Sequence, residues 1–199
     1  MADIGILTFH CADNYGAMLQ AYGLKKFLEN KRMDVEVICY EPPFMTGRHW
    51  WIPYIPRDGW YEILKHGWYG WEKNLKLGRS FFERRANMRR FRDRYLVQSK
   101  KHKLLFSRQL RKCSCQYYIV GSDQIWNPDI TLGLRTVYFG AFENKNKKKV
   151  IAYAASLGGV SLSSEYDEEF SELLPWLSLP HAAIPRTIAE VNTPAITLL

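Results

Sequence analysis

The sequence predicts an α/β fold, a parallel sheet flanked by helices, and three observations carry that expectation. Residues 4–9 (Ile-Gly-Ile-Leu-Thr-Phe) form a near-continuous apolar run, as in a strand buried on both faces of a parallel sheet. A short loop and then a helical stretch follow, and after them comes a second apolar run, Val35 to Tyr40. Strand, helix and strand within 40 residues make a βαβ unit, which crosses over right-handed.

Each element has a local reason. The helix is expected from about Tyr15 to Asn30, with Ala17, Ala21, Leu24 and Leu28 forming one apolar stripe and Asp13 or Asn14 as N-cap. Pro42-Pro43 stops the second strand. A helix rich in arginine is expected over 80–95, and short buried strands over 117–120 and 149–154. An acidic helix runs from Ser164 to Leu174 and closes at Pro175. The tail from Pro175 to Leu199 holds four prolines and only two charged residues, Arg186 and Glu190, with poor periodicity.

Composition narrows the function. The chain has 199 residues, 47% hydrophobic and 24% charged, which excludes global disorder. No run of about 18 apolar residues exists, so no membrane span is expected, and without a signal-like start a cytoplasmic location is expected. Four scattered cysteines do not make a disulfide framework. Cys113-x-Cys115 is one residue short of the usual metal pair and has no second pair, so neither a metal nor a cofactor is expected.

The net charge of +8 is uneven. Residues 48–112 carry 18 basic and 5 acidic side chains, and the remainder has an acidic excess. The same segment holds Trp50, Trp51, Trp60, Trp68 and Trp71. Such a stretch suits an anionic glycan or a membrane surface, or else is a solvated helical face anchored by its aromatics. Without a nucleic-acid motif, no nucleic-acid partner is expected.

Two polar loops are the candidate site, because ligands of open parallel sheets bind beyond the carboxyl ends of the strands. The first runs from Phe9 to Ala17 and contains His10, Asn14, Tyr15 and Gly16, with Gln20 one turn into the helix. The partly positive helix start can receive an anion or a sugar hydroxyl, although capping alone also explains Asp13 or Asn14. The second loop is Gly121-Ser122-Asp123-Gln124-Ile125-Trp126-Asn127-Pro128. Planar amides, a carboxylate and a Trp plate suit a carbohydrate, and Asp123 suits general-base work towards a hydroxyl. A turn with a core Trp is the alternative. Dinucleotide, phosphate-loop and zinc-protease motifs are absent, and Gly158-Gly159 reads as a turn.

The opening run to His10, the stretch Asn14 to Tyr22, the stretch Ile119 to Pro128, the stretch Tyr138 to Phe142 and the stretch Ile151 to Gly158 together resemble the polysaccharide pyruvyl transferase family, over about residues 3–172. The resemblance implies a Rossmann-like sheet, the N-terminal half of a GT-B-type transferase. It implies transfer of a pyruvyl group from phosphoenolpyruvate to two hydroxyls of a glycan acceptor, making a ketal during cell-surface polysaccharide synthesis. Asp123 and His10 are then the expected proton carriers. Asn14, Tyr15, Gly16, Gln20, Gly121, Ser122, Gln124, Trp126 and Asn127 are expected to hold sugar or donor. The basic insert at about 44–112 would attract an anionic glycan or a lipid-linked acceptor at the inner membrane face. The expected organisation is one domain over 1–174 and an atypical tail over 175–199. The family's second Rossmann-like domain is missing, which reads as a truncated fragment. The alternative is a non-catalytic glycan-binding or scaffold fragment.

Overall fold

The computed structural model describes residues 2–12, 14–42, 45, 79–97, 103–113, 115–141, 149–158 and 164–177. Four short strands form one parallel sheet: β1 (Ile4–Leu7), β2 (Val35–Val37), β3 (Tyr117–Val120) and β4 (Lys149–Ala152). Their order is β2-β1-β3-β4. β1 pairs with β2 through Ile4↔Val35 and with β3 through Ile4↔Tyr117 to Leu7↔Val120, and β3 pairs with β4 through Tyr117↔Lys149. The helices are α1 (Tyr15–Asn30), α2 (Arg79–Phe91) and α3 (Ser164–Leu173). This is the α/β, Rossmann-like arrangement that the sequence predicts.

Period-two alternation explains the layers. Leu7, Tyr118, Val120 and Val150 share one core cluster with Trp126, Phe139 and Phe170. Ile6, Ile119, Val35 and Val37 share the other with Met18, Ala21 and Leu28 of α1 and Met88 of α2. The sheet is therefore apolar on both faces, which is why its strands read as continuous hydrophobic runs.

Several boundaries differ from expectation, each for a local reason. The β2 ladder ends at Val37, after which the Ile38 amide still donates to the Ile6 carbonyl at 2.9 Å and Tyr40 bridges to Leu104. β4 ends at Ala152, two residues early, because Ala154 turns to φ 49°. The arginine-rich helix is α-helical to Phe91 and continues as a π-helical turn over Arg92–Leu96. On α1 the buried stripe is Met18, Ala21, Lys25 and Leu28 rather than the one built on Ala17 and Leu24. Lys25 is buried because its Nζ donates to the carbonyls of Tyr95 (3.0 Å) and Leu96 (3.4 Å), capping the end of the π-helical turn. The five tryptophans of the insert, Asp13, Gly159 and the tail beyond Leu177 lie outside the described residues.

Candidate functional site

The strand order places the two polar loops together. β1 feeds α1 and returns as β2 on one side, whereas β3 lies on the other side of β1. The order reverses between β1 and β3, and ligands of open α/β sheets bind in the crevice beyond the strand ends at such a switch point. β1 and β3 pair in parallel up to Leu7↔Val120, so both chains leave the same edge side by side.

The first loop is a helix start. Asn14 is the N-cap of α1, and its Oδ1 accepts from the Ala17 amide at 3.3 Å. Tyr15 is exposed, Gly16 is exposed, and Gln20 is half-buried. His10 lies deeper and is completely buried. Burial lowers the imidazole pKa to about 4, against the smaller opposing pull of the Thr8 carbonyl and Glu41. His10 is therefore neutral at ordinary pH.

The second loop is held tightly below and open above. Gly121 continues the ladder by donating to the Leu7 carbonyl at 3.2 Å, and a Cβ there would collide with the Tyr153 carbonyl oxygen. Ser122 is buried and its Oγ donates to Asp123 Oδ1 at 3.2 Å. Ser156 Oγ donates to the Asp123 carbonyl. Gly158 sits at φ +68°, and a Cβ there would collide with the Gln124 side chain. The Asp123 side chain is exposed and Gln124 is half-buried.

Two of the residues expected to hold ligand are buried. Trp126 is 5% exposed, stacked on Phe139 at 5.3 Å and edge-on to Phe170 at 5.7 Å, with Nε1 donating to the Tyr138 carbonyl at 3.0 Å. A plate for a sugar ring needs an open face, and Trp126 has none. Asn127 is buried as the N-cap of a one-turn helix (Pro128–Thr131), its Oδ1 accepting from the Asp129 amide at 2.9 Å. The structure also encloses His10, so Asp123, of the two expected proton carriers, is the one that meets solvent.

A neighbouring cluster beyond β1 and β2 is not among the expected site residues. Glu41 is buried, with Oε1 at 3.2 Å from Arg92 and Oε2 at 3.1 Å from Lys103. Burial pushes its carboxyl up, but Arg92 and Lys103 outweigh that and hold it below its usual range. The Cys39 thiol donates to Glu41 Oε1 at 3.5 Å, and burial, aided by the Glu41 charge, pushes the thiol up to about 12. A signal was present: Glu41 directly follows the second apolar run, which holds Cys39 near its end, as His10 directly follows the first.

The strand order and the side-by-side loops define an α/β protein of the parallel-sheet, Rossmann-like class. The family model described as polysaccharide pyruvyl transferase matches residues 14–175, and the chain belongs to that family. No curated protein and no solved structure matches it. No helix among the described residues is long and apolar enough to cross a membrane.

Proposed function

We propose that this chain takes part in moving a pyruvyl group from phosphoenolpyruvate onto two hydroxyls of one sugar in a polysaccharide acceptor, forming a cyclic ketal. The observation that supports it most is the pairing of two polar loops on adjacent strands at the switch point, within a chain of this family. On this reading a second Rossmann-like unit faces the crevice in a GT-B-type arrangement.

The reaction sets what the loops must do. Protonation of the enol carbon makes its neighbour electrophilic, and one sugar hydroxyl adds there. The second hydroxyl displaces phosphate from the same carbon. Of the two hydroxyl protons, one ends on the new methyl group and one leaves with phosphate. On this reading Asp123 accepts a hydroxyl proton, and the Ser122 hydroxyl donating to its Oδ1 fixes the carboxylate. Gln124 offers an amide to sugar hydroxyls. The start of α1, with Tyr15 and Gly16 exposed, offers partly positive backbone to the donor's phosphate or carboxylate. Trp126 and Asn127 position the Asp123 loop and do not touch the sugar. The basic segment 48–112 draws an anionic glycan or the membrane-bound acceptor towards the crevice.

The test is phosphate release from phosphoenolpyruvate in the presence of acceptor glycan. Asp123→Asn should slow it by about 100-fold or more, while changing stability by less than about 0.5 kcal/mol because the side chain is exposed. Release that is indifferent to Asp123→Asn overturns the assigned role. Glycan binding without any phosphate release favours a non-catalytic glycan-binding protein instead.

A further inference from the structure

We propose that His10, Cys39 and Glu41 form a binding site for a divalent cation of the zinc class, sealed beyond the carboxyl ends of β1 and β2. A ring nitrogen of His10, the Cys39 sulfur and a Glu41 carboxylate oxygen all lie within 4.8 Å of one another, and all three residues are buried. Imidazole, thiolate and carboxylate are the donors that zinc accepts in one site, whereas magnesium and calcium take oxygen alone. Nitrogen and sulfur donors around tetrahedral zinc stand about 3.5 Å apart. Side-chain rotation of about 1 Å closes the observed span to that value.

The second observation is an orphaned atom. His10 Nδ1 lies 3.2 Å from the Thr8 carbonyl, which can only accept, so Nδ1 carries the hydrogen. Nε2 then holds a lone pair, and it is buried with no hydrogen-bond partner. Buried polar atoms are rarely left so. Metal-bound imidazoles show the same arrangement, with the far ring N–H tied to a backbone carbonyl that fixes tautomer and orientation.

Glu41 has capacity for a cation. The Cys39 thiol now points at Oε1, which also receives Arg92, while Lys103 occupies Oε2. When the cation enters, the thiol proton leaves to solvent and the metal takes the place of that S–H between sulfur and Oε1. Arg92 and Lys103 remain on the carboxylate as outer partners. Their charge opposes the cation, and the new thiolate offsets it. Water fills the fourth position. This site does not rest on the pyruvyl-transfer reading: His10 shares the first polar loop with it, but none of the three ligands is assigned a step in that reaction.

Titration of the metal-stripped full chain with Co²⁺ tests it. One equivalent should give the visible bands of tetrahedral cobalt together with a sulfur-to-cobalt charge-transfer band, both erased by adding Zn²⁺. Cys39→Ser should remove the charge-transfer band, and His10→Gln should weaken Co²⁺ binding by about 100-fold. Cys113→Ser should leave the spectrum unchanged. The proposal is overturned by the absence of a one-equivalent spectrum in the wild type, or by a charge-transfer band that depends on Cys113. Should Cys39→Ser fail to fold by circular dichroism, His10→Gln decides alone, and unchanged affinity there overturns the site equally.

Discussion

At the carboxyl edge of the sheet, the end beyond β1 and β2 and the end beyond β3 are built on opposite plans. Beyond β1 and β2, His10, Cys39 and Glu41 are sealed, and the one carboxylate is gripped by Arg92 and Lys103. Beyond β3, Ser122, Trp126 and Asn127 are sunk into the core while Asp123 between them faces outwards. Both ends carry polar and titratable residues, yet one hides its reactive groups and the other presents one. A group that exchanges protons with a sugar must meet it, so the proposed function puts turnover chemistry at the β3 end. The β1–β2 end has the dry, low-dielectric setting in which charge pairs and lone pairs are strongest.

The largest break in this contrast is expected at Trp126. Trp126→Ala removes a buried indole that stacks on Phe139 and holds the Tyr138 carbonyl, and should cost about 3–5 kcal/mol in denaturant unfolding. A cost below about 1 kcal/mol would mean that the β3 loop is not anchored by its aromatic.

Next in size is a pH effect at the sealed end. The folded His10 pKa of about 4 lies below the ordinary 6.5. The unfolded chain thus binds a proton that the folded chain refuses throughout that interval. Stability is unaffected by this group above pH 6.5 and falls as pH drops from 6.5 to about 4, by about 3 kcal/mol in all. His10→Gln should flatten that part of the stability profile. An unchanged slope would show that solvent reaches the imidazole.

The smallest effect is at the start of α1, where the loop after β1 returns to the surface. Asn14→Ala removes the cap on the Ala17 amide and should destabilise the fold by about 1 kcal/mol. If instead phosphate release falls steeply with stability nearly intact, Asn14 contacts ligand as well as capping α1.

How much of this is legible in the sequence follows from what kind of information each feature needs. β1, β3 and α1 are visible because burial on both faces and a helix repeat leave local apolar patterns at Ile6, Leu7, Ile119 and Val120. The Asp123 loop is visible because its polar residues directly follow such a run. The role of Trp126 is not, since a ring that packs on Phe139 and Phe170 and a ring that packs on a sugar are written with the same letter. Lys25 obscures the stripe of α1 because its partners, the Tyr95 and Leu96 carbonyls, are some 70 residues away. The His10, Cys39 and Glu41 cluster is hidden for the same reason: it exists only once β1 and β2 lie side by side.

The register Ile4↔Tyr117 also bears on biosynthesis. The central strand waits for about 110 further residues to leave the ribosome before its second neighbour exists. Until then β1 offers half of its backbone, and the apolar side chains around it, to any other chain within reach. Closing so long a loop is slow, and the nascent polypeptide is most prone to aggregate in that interval. Chaperone demand during translation should therefore peak before Val120 emerges and subside after it.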